Sequence, residues 1–238
     1  MLEHPTNEGS VTTNGSSARA DGRDLRLVQR LDALPVSVVS DCLDSAGLRH
    51  NVMAPHVRPL WREARVAGYA ATVSAVGVDA PPPDRDDWYR GELQAVDAMQ
   101  PGDVMVVSTC QGSYWGELLA TASRFRGARG IVADAYTRDT LALIAMEFPT
   151  FVAGIHPTDS LGRIDVDGVG VPIECGGVRV THGDLVLADH DGVAVVPADV
   201  AEQVVAAAEE KVAAEDMVRA KLAAGMPVSE AFKAYGIL

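Results

Sequence analysis

Two short stretches of the chain carry side chains that could do chemistry together. Val104 to Val107 lead through a Ser-Thr-Cys-Gln-Gly-Ser loop to a helix beginning near Trp115-Gly116-Glu117. Ile131 to Ala133 lead through Asp134-Ala135-Tyr136-Thr137 to a helix read from Arg138 to Met146. Parallel sheets place ligands at the carboxyl ends of their strands, so both helix starts are expected at one edge. Unpaired first-turn amides from Gly116 through Leu118 and Leu119 suit a carboxylate. Gly116 lets a ligand come close to the backbone. Arg138 and Asp139 set a cation beside an anion, a pair able to grip an anionic substrate and a metal ion together. Glu117 adds a second carboxylate. Hard oxygen donors with no nearby His or Cys favour Mg²⁺ or Mn²⁺ over Zn²⁺. First-turn carboxylates also simply favour the helix dipole, and Arg-Asp pairs are common on surfaces. Spacing alone leaves both readings open.

Lysine usage narrows the chemistry. Lys211, Lys221 and Lys233 are the only lysines, and none precedes position 211. No GxxxxGK[ST] occurs, so a P-loop is excluded. A Schiff-base lysine would have to come from the C-terminal helices, which makes a metal the better electron sink for carbonyl chemistry. Other polar groups read as structural. Asp189 and Asp191 suit a hairpin turn, Asp41 and Asp44 a solvated helix face, and Glu209, Glu210, Glu215 and Arg219 the outer face of a long helix. The six histidines show no HxH or HExxH spacing. Cys42, Cys110 and Cys175 form no CxxC and read as buried reduced thiols.

Composition bounds the rest. The 238 residues carry 20 basic and 33 acidic side chains, a net charge of −13. That balance lacks the basic footprint of nucleic-acid binding. No run of 18 apolar residues suggests a membrane span. Residues 1–22 are polar and read as a disordered extension, not a signal peptide, so a cytoplasmic protein is expected.

The elements that must position Glu117, Arg138 and Asp139 are legible as an α/β pattern. Helices are expected over Asp24 to Leu34, from a Ser37 cap to Gly47, over Trp88 to Met99, and from about Tyr114 to Arg126. A strand is expected over 65–76. Residues 104–153 alternate β-α-β-α-β with continuous apolar strands, the mark of a parallel sheet covered by helices. Residues 162–197 form a β-rich layer, and 198–238 a C-terminal helical arm on one domain spanning 23–238.

The stretch WGELLATASRFRGARGIVADAYTRD, Trp115 to Asp139, resembles the signature of the RraA-like family. That family contains divalent-metal-dependent 4-hydroxy-4-methyl-2-oxoglutarate and 4-carboxy-4-hydroxy-2-oxoadipate aldolases. Its pattern is an acidic residue, twenty residues, then Arg-Asp; here residues 118 to 137 separate Glu117 from Arg138. VSVVSDCLDSAG, RVAGYAATV, PGDV at 101–104 and VPIECGGVRVTHGDLVLADHDGVAVVP continue the resemblance over about residues 30 to 224.

The resemblance implies a swivelling β/β/α fold, and trimers or dimers of trimers with sites shared between subunits. It implies a metal-dependent lyase that cleaves a 4-hydroxy-2-oxo acid to pyruvate, with oxaloacetate decarboxylation through the same enolate. Asp139 would be the direct metal ligand. Arg138 would contact the substrate and the enolate oxygen. Glu117 would hold water on the metal, where characterised aldolases often have Asp. Backbone amides at Gly116, Leu118 and Leu119 would hold the pyruvate carboxylate. A Glu from a neighbour's C-terminal helix would complete the shell, with Glu215 the best match and Glu210 the fallback. Ala135 and Tyr136 depart from the family's Asp-Gly-x-x-Arg-Asp and could reshape the pocket. Segment 78–92 is longer than in compact aldolases, either a lid or a surface insertion. Met53 and Arg58 are weaker pocket candidates. The resemblance also carries an alternative, since the family includes a regulator that inhibits a ribonuclease by protein contact.

Overall fold

Asp24 opens the first helix, α1 (Leu25–Asp32), by accepting the Arg26 amide at 2.9 Å, a side-chain N-cap. This computed structural model describes residues 23–237, so the extension expected over 1–22 lies outside the described residues. Helix α2 (Val36–Ser45) starts behind Pro35 rather than at the expected Ser37 cap. Its cap comes from elsewhere in the fold: Asp189 Oδ2 accepts the Val36 amide at 3.1 Å.

Strands β1 (Arg58–Pro59) and β2 (Val66–Gly77) follow. The 78–92 segment makes one 3₁₀ turn at Arg85–Asp87 and enters α3 (Arg90–Asp97) through Tyr89. Next come β3 (Asp103–Val107), β4 (Ser113–Trp115), α4 (Glu117–Phe125), β5 (Gly130–Thr137), α5 (Thr140–Ala145) and β6 (Thr150–Ile155). The β-rich stretch holds β7 (Ile164–Val169), β8 (Ile173–Cys175), β9 (Val178–Val180), β10 (Leu185–Asp189) and β11 (Gly192–Val196). Helices α6 (Ala201–Ala223) and α7 (Val228–Tyr235) close the chain.

Three further boundaries differ from the sequence reading at the edge that carries Glu117, Arg138 and Asp139. Ser113–Trp115 is a strand parallel to β5, not the first turn of a helix. Asp134 to Thr137 continue β5 instead of forming a loop. Helix α5 begins at Thr140, with Asp139 as its N-cap, so Arg138 is not its first residue.

The nine-stranded sheet runs β1-β6-β5-β3-β2-β10-β11, with β4 beside β5 and β7 beside β2. Its centre, β2-β3-β5-β6, is parallel, while β1, β7, β10 and β11 pair antiparallel. The outer strands almost meet. Val52 bridges Ala194 on β11, and Arg58 then pairs with Val152 on β6. The Arg58 guanidinium also donates to the carbonyls of His190 and Asp191, at 2.7 and 3.2 Å. The result is a nearly closed, mostly parallel sheet.

Strand alternation divides the apolar side chains into three clusters. Val104, Val106, Val132, Phe151, Val186 and Val195 fill the inside of the sheet. Met105, Val107, Ile131 and Ala133 face the layer of α3, α4 and α5. Leu185, Leu187, Ala194 and Val196 face α1, α2 and α6. Burial on both faces explains why these strands read as continuous apolar runs. Met53 belongs to the interior cluster. Met53 and Arg58 therefore close the sheet and do not line the cavity beside Arg138 described below. Cys42, Cys110 and Cys175 are buried free thiols, as their spacing suggested. Among the described residues no helix is long and apolar enough to cross a membrane.

Candidate active site

The ends of β4 and β5 are tied together where Glu117, Arg138 and Asp139 emerge. Trp115 carbonyl oxygen accepts from the Arg138 amide at 2.9 Å and from the Thr137 hydroxyl at 3.0 Å. Gly116 is extended, at φ −157°, and caps α4. Asp139 caps α5 in the left-handed region, at φ 56° and ψ 33°. That backbone is uncommon outside glycine, and Asp tolerates it better than most residues. Only Tyr89, Asp139 and Glu147 share a positive φ among the described non-glycine residues, and the first two line one cavity.

Asp139 Oδ2 accepts the Glu117 amide at 3.2 Å. A Cβ on Gly116 would stand 2.8 Å from the same oxygen, and 3.4 Å from Arg138 Cγ. The Arg138 guanidinium lies between two carboxylates, 3.8 Å from Asp139 Oδ2 and 3.6 Å from Asp159 Oδ1. Tyr89 donates its hydroxyl to the other Asp159 oxygen at 2.7 Å. Burial pushes the Asp159 carboxyl up, but the Tyr89 hydroxyl and the Arg138 charge outweigh it and hold it below its usual value. The Tyr89 phenol is pushed up to about 12, by burial first and then by Asp159.

These groups line a cavity of about 280 Å³ that also takes in Gly116, Leu118 and Leu119. The first-turn amides of α4 have no partner within their own helix, and Leu118 and Leu119 supply two of them at the cavity wall. Glu117 accepts the Thr121 hydroxyl at 2.8 Å, so its carboxylate is aligned along α4. Deeper in, Glu92 is 5% exposed, and burial pushes its carboxyl up to about 7; a hydrogen bond from Ser160 only partly offsets this.

The donor set fits one metal class. Among the described residues no three His, Cys, Asp or Glu side chains converge as a cage. Asp139 is half-exposed, and the missing Gly116 side chain leaves its Oδ2 open. Mg²⁺ is commonly held by one or two carboxylates while keeping several waters, so the half-exposed Asp139 carboxylate could hold Mg²⁺ or Mn²⁺.

The fold thus brings Gly116, Leu118, Leu119, Arg138 and Asp139 to one cavity, whereas Glu117 meets Asp139 through its backbone amide and turns its carboxylate to Thr121, outside the cavity lining. Glu215 lies elsewhere, on α6, 3.9 Å from Lys211 Nζ and 3.8 Å from Arg219. Glu210 is exposed on the same helix. Neither lines the cavity of its own chain. Ala135 is buried under the helical layer, and Tyr136 leans on His156, so the motif departure at these positions does not line the cavity either. Asp189 and Asp191 form the expected turn, with Asp189 Oδ1 accepting the Asp191 amide at 2.8 Å. Tyr89, Glu92 and Asp159 were not foreseen. The unusual length of 78–92 pointed toward the first two, and no local signal marked Asp159.

A family model described as "RraA-like: Aldolase/RraA" matches residues 36–195. A protein of Halalkalibacterium halodurans, named "Putative 4-hydroxy-4-methyl-2-oxoglutarate aldolase", is 30% identical over 81% of this chain and 87% of its own. Among solved structures, Streptomyces coelicolor RraAS2, described as "an unusual member of the RNase ES inhibitor RraA protein family", superposes with a TM-score of 0.72. It is 27% identical over 83% of this chain and 98% of its own. An uncharacterised Pseudomonas syringae protein has a TM-score of 0.79 at 24% identity, over 99% of this chain and 100% of its own.

Proposed function

The chain belongs to the RraA-like Aldolase/RraA family, and from that premise we propose that it is a divalent-metal-dependent lyase. It cleaves a 4-hydroxy-2-oxo acid to pyruvate and a carbonyl compound. The observation that carries this reading is the convergence on one cavity of the α4 amides, the Arg138 cation and the Asp139 carboxylate.

The Leu118 and Leu119 amides hold the C1 carboxylate, favoured by the positive end of α4. Arg138 donates to the C2 oxygen. Glu117 holds the water that takes the C4 hydroxyl proton. The C3–C4 bond then breaks; its electron pair moves to C2 oxygen, leaving pyruvate enolate, and C4 becomes a carbonyl. Arg138, already oriented by Asp159 and Tyr89, meets the charge that develops on the enolate oxygen. The proton taken from the C4 hydroxyl returns to C3 through the same water, which releases pyruvate. A metal held by Asp139 supplies Lewis-acid polarisation of the 2-oxo group.

The site works in an oligomer, a trimer or a dimer of trimers. Leu118, Leu141 and Ile155 rim this region at 78%, 82% and 64% exposure, an apolar rim that a second copy would cover. Glu215 of the neighbour completes the site in that arrangement.

Pyruvate release from a panel of 4-hydroxy-2-oxo acids and oxaloacetate, with Mg²⁺, with chelator and with Asp139→Ala, tests the reading. Metal-dependent turnover that disappears in the variant is expected. A folded, metal-loaded protein silent on the whole panel would instead favour the protein-binding role of the regulator RraA, whose family the Streptomyces relative's description names.

A further inference from the structure

The cavity beside Arg138 has a second wall, of which the cleavage chemistry uses only Tyr89. Tyr89, Glu92 and Leu93 form it, from the end of the 78–92 segment and the first turn of α3. Tyr89 and Glu92 also line an adjoining cavity of about 300 Å³ beneath Pro81, Pro82 and Pro83. The segment therefore supplies a wall of the site cavity and builds a side chamber next to it. Two close approaches fix its walls. A Cβ on Gly91 would lie 2.5 Å from Val166 Cβ on β7, so the first turn of α3 is pressed against that strand. A Cβ on Gly162 would lie 2.9 Å from Pro81 Cδ.

The chemistry of this wall is acidic and apolar. Glu92 is buried at the junction of the two cavities, with Asp159 on the site side and Asp165 on the chamber side. Leu93, half-exposed, and Leu119 supply apolar surface next to it. The one cation among the side chains lining the site cavity, Arg138, already lies between Asp139 and Asp159 and faces the 2-oxo acid end. A second substrate carboxylate would enter a low-dielectric wall beside carboxyl groups, where like charges repel far more strongly than in water.

Resting on the lyase reading above, we propose that Glu92 determines specificity, directing the site to 4-hydroxy-2-oxo acids whose C4 substituent is uncharged and excluding those that carry a second carboxylate. A hydroxyl or short alkyl tail meets a hydrogen-bonding carboxyl flanked by leucines. A carboxylate tail meets repulsion unless Glu92 takes up a proton. This sets the chain apart from what the name of its Halalkalibacterium relative implies, since 4-hydroxy-4-methyl-2-oxoglutarate is a dicarboxylate.

Binding separates this inference from the lyase reading. The full chain with Mg²⁺ at pH 8.5 is titrated calorimetrically with 2-oxopentanoate and with 2-oxoglutarate, and Glu92→Gln is titrated in parallel. The monocarboxylate is expected to bind at least tenfold more tightly, and the ratio to shrink to threefold or less in the variant. Equal or tighter binding of 2-oxoglutarate by the natural protein, or binding of neither acid, overturns the proposal whatever the variant does. A ratio that Glu92→Gln leaves unchanged overturns the assignment to Glu92. If the preference stands and no 4-hydroxy-2-oxo acid of either kind yields pyruvate, the lyase reading fails while the specificity of the pocket holds.

Discussion

Gly116 and Asp139 are fitted to each other: the Cβ that Gly116 lacks would stand 2.8 Å from Asp139 Oδ2. The glycine is there for space and not for conformation, because its φ of −157° is open to any residue. Gly116→Ala therefore costs no backbone strain and acts by pushing Asp139, with Arg138 behind it. Mn²⁺ affinity, read by calorimetry, is expected to fall at least tenfold, while Tm stays within a few degrees. Unchanged Mn²⁺ affinity would mean that Asp139 is not the metal ligand.

The backbone of Asp139 carries the opposite kind of cost. A left-handed L-residue sits about 1 kcal/mol above glycine in the same conformation. Asp139→Gly is expected to raise unfolding free energy by about 0.5–1 kcal/mol in urea titration. It should also abolish pyruvate release. Activity without stability gained, or stability gained with activity intact, would each contradict a functional origin for the strain.

Much of this edge was legible in the sequence, because each half of it is local. Glu117 follows β4 after one residue, and Arg138-Asp139 follow β5, so the apolar runs placed them at the sheet edge although the helix starts beside them were read too early. The extent of β5 was not legible. Asp134 reads as a loop residue, yet it points into the end of the nearly closed sheet. There His56 Nε2 lies 2.7 Å away, the Gly176 amide 3.2 Å away, and the Thr109 hydroxyl donates as well. Burial alone would raise the Asp134 carboxyl, but these donors hold it below its usual value. A buried charge satisfied by partners 25, 42 and 78 residues away leaves no trace in a local pattern. Asp159 is hidden for the same reason, since its meaning depends on Tyr89, 70 residues earlier.

Glu92 makes stability depend on pH. Its carboxyl is raised from 4.5 to about 7, chiefly by burial. The groups facing it are Asp159, Asp165 and Arg138, with Tyr89, Tyr114 and Cys110 nearby. A raised folded-state value means that its stability is fully present below about pH 4.5 and is lost as pH rises through 7. The shift corresponds to about 3 kcal/mol, as an order of magnitude. Glu92→Gln is expected to flatten the stability profile between pH 4.5 and 7.5 and to be the more stable form at pH 8. Parallel profiles for the two proteins would show that Glu92 does not titrate in this window.

Glu215 lies on α6, which packs with α1 and α2, whereas Asp139 caps α5 in the layer facing the opposite cluster. A role for Glu215 in catalysis must therefore act between subunits. Its pairs with Lys211 and Arg219 are long, at 3.9 and 3.8 Å, so Glu215→Ala should change stability by less than about 1 kcal/mol. Asp139→Ala and Glu215→Ala proteins, each inactive alone, can be mixed under conditions that let subunits exchange. A site that takes Asp139 from one chain and Glu215 from its neighbour, as proposed, would survive random reassembly in about a quarter of cases. Pyruvate release is expected to recover to about that fraction. Recovery with Glu210→Ala instead would move the role five residues back along α6, and no recovery with either variant would overturn a carboxylate shared from α6.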